Sequence, residues 1–402
     1  MGIRTVARYL IGNRQAIVEL GANPWSVVLG FLFVLSAGFA REYDAADLFE
    51  EPWHLLTPLG ASLVSSLILF LISSVKRSKP TGSYFRAYLS FLGLFWLTAP
   101  LAWLYAIPYE RFLTPVEAMQ ANLATLGLVS IWRVALMMRV LVVHMNYLPV
   151  AAFFVVMVFA DSVALLALNF VPVPILNVMG GIQTPGPDQV LQGTACAICQ
   201  LGSCSLPIWI IGALSTLPIA RPVRSPISDP APSAPSFSLW ALALVSLAIW
   251  AVILPVTQPE QQLRHQVETH FKEGQVGLAL AEMSAHVPED FPPNWDPPPP
   301  PHYKWEGQES PQLFEVFEEM SKTSPAPWVR DVYVKKLHEW LWSGYFDPDN
   351  QLRMMKLLKT LPERTVLLTA SPWPNHQWAR HGDFLKQLRS DFGIQKKDES
   401  KD

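Results

Sequence analysis

Seven apolar stretches dominate the first 255 positions of this 402-residue chain, at 25–40, 55–75, 87–107, 121–143, 148–171, 196–220 and 237–254. About 20 helical residues cross a hydrocarbon core about 30 Å thick. Lipid offers no water to unpaired backbone groups, so such stretches must be helices. Charge follows the same division. Residues 1–255 hold 13 Lys+Arg and 11 Asp+Glu, whereas 256–402 hold 17 and 22. The chain thus reads as an all-α polytopic membrane protein: a helical transmembrane bundle of about seven spans with a helical soluble C-terminal domain. A net charge of −3 supplies no basic stripe for nucleic acid, so none is expected as a partner.

Three segments follow from this pattern: an N-terminal amphipathic, cytoplasmic segment at 1–24, a transmembrane domain at 25–255 and a soluble helical domain at 256–402. Within the first, Ile3, Val6, Leu10 and Ile17 sit at roughly helical spacing with arginines between them, which suits either one surface-lying helix over 1–20 or a frayed cytoplasmic tail. No small-residue cleavage site follows an early apolar core, so the first span reads as a retained anchor. Trp25, Trp53, Trp103, Tyr105 and Tyr147 fall near span ends, where amphipathic rings favour the interface.

Lys and Arg placement sets the expected orientation. The loop at 41–54 has one basic residue beside five acids, and the segment 76–86 has four basic residues and no acid. Arg221 and Arg224 follow the stretch at 196–220, which Pro207 and Pro218 interrupt. If that stretch spans, basic loops alternate with a cytoplasmic N-terminus, and the C-terminal domain lies outside the cytoplasm. If it dips in and returns, the domain is cytoplasmic. Seven spans in a bacterial inner membrane is the preferred reading.

In the C-terminal region, Leu263, Val267 and Phe271 line one helix, Gly274 turns the chain, and Val276, Leu280 and Met283 line a second. With the small residues Gly277, Ala279 and Ala281, this hairpin resembles one unit of a tetratricopeptide-type repeat over about 28 residues. No 34-residue period follows. A proline-rich arm at 292–301 includes Pro297–Pro301, which imposes polyproline II. It is either a docking strip for an aromatic groove or a rigid arm held on the domain's own helices by Trp295 and Trp305. Helices are expected at 312–322, 329–343, 350–360 and 378–391, and a short strand at 365–369.

Several constellations carry potential chemistry. Cys196, Cys199 and Cys204 are the only cysteines, spaced C-x2-C-x4-C. A thiol pair or a metal site is conceivable, with His54 as a fourth ligand, but an inert apolar segment is the simpler reading. Asp44, Asp47, Glu50 and Glu51 offer hard oxygen ligands to a cation, without the glycine or spacing of an EF-hand. They also suit a solvated loop or a short interfacial helix ending at Pro52. His376, His381 and Asp383 share one stretch, in which His381 and Asp383, two apart, could form an acid–base pair or mark a plain helix start. Within the spans, Arg133, Arg139 and Asp161 are functional candidates by default. Spans four and five turn near 144–147, which places Arg133 and Asp161 at similar depth and predicts an intramembrane charge pair. Arg139 lies close enough to the turn to snorkel. No catalytic motif or cofactor is called for. The leading functional expectation is a non-enzymatic membrane anchor whose C-terminal domain binds a protein partner. The alternatives are a transporter or channel using Arg133 and Asp161, and a membrane enzyme or thiol/metal protein using the cysteines.

Overall fold

The computed structural model describes residues 1–74, 83–168, 186–216, 233–299, 311–343, 348–370 and 383–394. Every regular element among them is helical. Seven helical segments are long and apolar enough to cross a membrane: Trp25–Glu42, Pro52–Ser74, Tyr84–Arg111, Pro115–His144, Pro149–Leu168, Val190–Thr216 and Phe237–Lys272. Their outer faces are apolar. Ile131, Leu201 and Val252 are 72, 70 and 71 % exposed, the arrangement of a bundle whose solvent is lipid. The chain forms two compact units, Met1–Val171 with Gly193–Gln262, and Pro172–Gln192 with Leu263–Asp402.

In the first unit, the N-terminal segment departs from the single surface helix expected. It forms two helices, α1 (Ile3–Leu10) and α2 (Arg14–Gly21). Gly12, at φ +76°, makes the turn, and the Asn13 side chain caps α2 by accepting from Ala16 N. Val6, Tyr9, Ile17 and Leu20 are buried in the main core of the unit, while Arg4, Arg8 and Arg14 stay exposed. The Tyr9 hydroxyl donates to Leu94 O, 2.5 Å away. Val6 and Ile17 of the expected apolar face thus enter the core, whereas Ile3 stays exposed and Leu10 is half-buried.

The first span is α3 (Trp25–Glu42), the second α4 (Leu56–Ser74), preceded by a 3-10 turn at Pro52–Leu55. Pro52 thus starts a helix instead of ending one, since its missing N–H is free at a first turn. The third span is α5 (Tyr84–Trp96) continued by a 3-10 helix, Ala99–Ala106, where one α-helix was expected. Pro100 cannot donate in the interior of an α-helix, which accounts for the change. Small residues let α3 and α5 approach closely. A Cβ on Gly30 would come within 2.7 Å of Trp96 Cβ, and one on Gly93 within 3.1 Å of Val27 N.

Next come α6 (Pro115–His144), α7 (Pro149–Leu168) and α8 (Gly186–Thr216). Thr114 and Glu117 form a capping box at the start of α6. Among the described residues, the stretch broken by Pro207 in the sequence runs as one continuous helix to Thr216; Pro218 lies outside them. It packs antiparallel to α7: Gly202 meets Leu165, Ser205 and Trp209 meet Asp161, and Gly212 lies against the Phe154 ring. Positions 202, 205, 209 and 212 recur at three- and four-residue intervals and form one helix face. The last span comprises α9 (Phe237–Ala248) and α10 (Trp250–Lys272).

The second unit has its own core. Leu263, Val267 and Phe271 of α10 join Val276, Leu280 and Met283 of α11 (Val276–Ala285). Gly274, at φ +75°, turns the hairpin, with Gln275 N donating to His270 O at 2.8 Å. Helices α12 (Pro311–Lys322), α13 (Pro327–Ser343) and α14 (Pro348–Thr360) each begin on a proline one or two residues ahead of the expected starts. The expected strand at 365–369 is instead α15 (Arg364–Thr369). Adjacent Leu367 and Leu368 are both buried, which one helix face allows and alternating strand faces do not. The last described helix is α16 (Asp383–Asp391); its expected start, 378–382, lies outside the described residues.

Candidate functional site

Two ionisable side chains inside the spans are the natural starting points, and they do not meet. The pairing of Arg133 with Asp161 is replaced by separate partners. Asp161, on α7, faces α8: its Oδ2 accepts from Ser205 Oγ and from Trp209 Nε1 at 2.8 Å. Phe153 and Phe154 flank the Trp209 ring at 5.5 and 6.2 Å. Arg133, on α6, faces the third span: its Nε donates to Thr98 Oγ1 at 3.2 Å, and its guanidinium lies 5.5 Å from the Phe95 ring centroid. Thr98 Oγ1 in turn donates to Phe95 O at 2.7 Å. Equal depth on neighbouring helices fixes height only. Which way each side chain points follows from its position on the 100° helical wheel, and these two point to different neighbours.

Arg133 lies 11 residues from the His144 end of α6, about 16 Å at 1.5 Å per residue, too deep for simple snorkelling. The Tyr9 and Tyr105 hydroxyls are close enough to interact with it electrostatically. No carboxylate forms an ion pair with it among the described residues. Arg139 is exposed and reaches the N-terminal segment. Its Nε donates to Gly12 O at 3.1 Å, and Trp132 Nε1 donates to Leu10 O at 2.8 Å. One face of α6 thereby satisfies carbonyls at the C-terminal end of α1, where a cation also opposes the helix dipole.

A second polar centre lies where the loop after α3 meets α10. Gln258 and Gln261, one turn apart, are fully buried. Gln258 Nε2 donates to Tyr43 O at 3.0 Å and Ala46 O at 3.2 Å, and its Oε1 accepts from Leu48 N at 2.5 Å. Gln261 Nε2 donates to Asp44 O. Asp47 is buried, and its Oδ1 accepts from Phe49 N at 3.0 Å and Glu50 N at 3.2 Å. Burial, reinforced by the charge of Glu110, pushes the Asp44 carboxyl up to about 6. Arg111 pairs with Glu260 at 2.9 Å. Asp47 was expected in a solvated loop or an interfacial helix; the structure buries it in a turn. The glutamines were overlooked. Their signal was a polar pair three residues apart, directly after the last apolar run.

The cysteines are all free thiols, with Cys199 and Cys204 exposed on α8 and Cys196 partly buried. Cys196 Sγ accepts from Gln200 Nε2 at 3.6 Å. His54 Nε2 lies 2.9 Å from Glu51 Oε2. Among the described residues, no group of three His, Cys, Asp or Glu is arranged to hold a metal ion. His376 and His381 lie outside the described residues, as do Pro300, Pro301 and Trp305.

The proline arm is held by its own unit. Tyr333 donates to Pro298 O at 2.8 Å, and Lys336 Nζ donates to Pro297 O and Pro299 O and pairs with Asp296 at 2.7 Å. The Pro298–Pro299 bond is cis. Trp295 stacks on Phe291 at 4.6 Å and donates to Glu268 at 3.2 Å. Burial lowers the Lys336 ammonium below its ordinary range despite Asp296.

Comparison with protein-family models, with curated proteins and with solved structures gave no match.

Proposed function

We propose that the chain is a non-enzymatic membrane anchor, in which the seven-span bundle holds a soluble helical domain that engages a protein partner. The observation that carries this reading is the pair of separate hydrophobic cores: one built from the spans and the N-terminal helices, the other from α10 onward. Asp161 Oδ2 accepts two hydrogen bonds from α8, which suits a static platform. On the charge pattern, the N-terminus is cytoplasmic in a bacterial inner membrane, and an odd number of spans places the domain on the opposite side.

A second reading, transport or conduction, is favoured by Arg133. Its charge lies within a span and is met by a hydroxyl and a ring, without a carboxylate among the described residues.

One experiment separates the two. The full chain, with a photocrosslinking residue at exposed Leu278 or Leu352, is expected to give a discrete adduct in intact cells that excess free domain, from about residue 259 onward, abolishes. No competed adduct, together with solute flux in proteoliposomes that Arg133→Gln removes, would favour transport instead.

A further inference from the structure

Where the loop between the first two spans meets α10, two buried oxygens have no donor to accept from. Asp47 is only 4 % exposed; its Oδ1 is used twice, but its Oδ2 is buried without a hydrogen-bond partner. Gln261 is 2 % exposed, and its Oε1 is likewise buried and unpartnered. Both belong to one junction. Gln261 Nε2 is committed to Asp44 O. An amide oxygen lies about 2.3 Å from its own nitrogen, so Oε1 must stay beside the same loop. Gln258, one turn earlier on the same helix, grips the residues on either side of Asp47 through Ala46 O and Leu48 N.

A water molecule could satisfy the amide oxygen but would leave the carboxylate charge uncompensated in a buried place. Glu110 and Arg111 both act on Asp44 of the same loop, and Arg111 is engaged by Glu260. What both oxygens lack is a positive centre. Calcium accepts carboxylate, amide and backbone carbonyl oxygens at 2.3–2.6 Å in flexible geometry, whereas magnesium demands a near-ideal octahedron and keeps its waters.

We propose that this junction is a calcium site, anchored by Asp47 Oδ2 and Gln261 Oε1. The remaining coordination positions go to loop carbonyls and water. A donor set of one carboxylate and one amide is not a group of three His, Cys, Asp or Glu, of which the described residues hold none arranged for a metal ion. The site ties the first loop to the end of the last span, and calcium would lock that closure.

The test uses the full chain in detergent micelles, titrated with calcium by calorimetry and followed by thermal unfolding. One calcium per chain is expected, with a rise in Tm on the order of 5 °C at saturation and no comparable rise with magnesium at equal ionic strength. Asp47→Asn should weaken calcium binding by about tenfold or more, while the double variant Glu50→Gln/Glu51→Gln leaves it unchanged. Absence of a calcium response in the wild type, an equal response to magnesium, or a response that survives Asp47→Asn would overturn the site. If Asp47→Asn cannot be recovered folded, Gln261→Met carries the test: about tenfold weaker binding supports the site, and unaltered affinity overturns it.

Discussion

The two units of this chain bury charge in opposite ways. Inside the spans, Asp161 is met by a serine and a tryptophan, and Arg133 by a threonine and a phenylalanine ring. Described ion pairs of that unit, such as Arg111–Glu260 and His54–Glu51, sit at span ends and in connecting segments. The C-terminal unit instead joins its elements with opposite charges: Lys336 to Asp296 at 2.7 Å and Arg330 to Glu363 at 3.0 Å. Solvation explains the difference. A pair of full charges must be stripped of water before it can attract, and in an apolar interior that cost can exceed the gain. Neutral donors and acceptors lose less on burial and can be supplied by the side chains that already line a helix–helix seam. A partly exposed pair, such as Arg330 with Glu363, keeps more of its solvation and costs less.

If neutral, close-packed seams carry the bundle, the largest effect should come from wedging one open. Gly93→Leu would drive a side chain into the Val27 backbone, which cannot yield as a side-chain tip could. The expected cost is about 3 kcal/mol or more, seen as loss of monodisperse protein in size-exclusion chromatography. A wild-type profile would show that α3 and α5 are not the rigid seam described.

The Asp161 seam ranks next. Trp209→Phe keeps the ring packing but deletes one of two donors to a charged oxygen, for about 1.5–3 kcal/mol, read as a lower midpoint of thermal unfolding in micelles. Asp161→Asn and Arg133→Gln should then act independently, adding within about 0.5 kcal/mol. A double variant more stable than that sum would restore the direct charge pair and blur the contrast between the units.

A smaller effect tests the C-terminal unit on its own terms. Burial lowers the proton affinity of His338, whose Nε2 lies 2.8 Å from Ala370 O. A depressed folded-state pKa means that the unfolded chain binds the proton more readily. The neutral ring's contribution is present above the ordinary histidine range and is lost as pH falls below about 6.5. Thermal unfolding of the full chain's C-terminal transition at pH 7 and pH 5.5 should show this drop, and His338→Gln should flatten it. Equal slopes in both proteins would mean that the ring is solvated.

The smallest effect belongs to the half-exposed Arg330–Glu363 pair. Glu363→Gln should cost at most about 1 kcal/mol, within reach of chemical denaturation. A loss of several kcal/mol there would make the C-terminal unit as dependent on buried polar ties as the bundle.

The sequence alone revealed seven helices able to span, because an apolar run of sufficient length has one way to satisfy its backbone in lipid. It also revealed the Gly274 hairpin, because a residue at positive φ between two periodic helices has a local cause. The short helix at 364–369 was misread, since six residues rich in β-branched and leucine side chains suit either element until burial chooses. At the N-terminus, Gly12 followed by the capping Asn13 was the local mark of two helices in place of one over 1–20, whereas their burial in the core of the first unit was decided by packing.

The candidate sites were legible as residue types but not as partnerships. Arg133, Asp161 and Asp47 could be picked out because charge is rare in the first 255 residues. That Arg133 meets Thr98, that Asp161 meets Ser205 and Trp209, and that Gln258 and Gln261 hold the loop around Asp47 depended on which helices became neighbours. Spacing along a chain specifies depth and face within a single helix. The rotation of each helix about its own axis is set by packing small residues such as Gly93 and Gly212 against their neighbours. Only that packing determines where a buried polar group finds its partner.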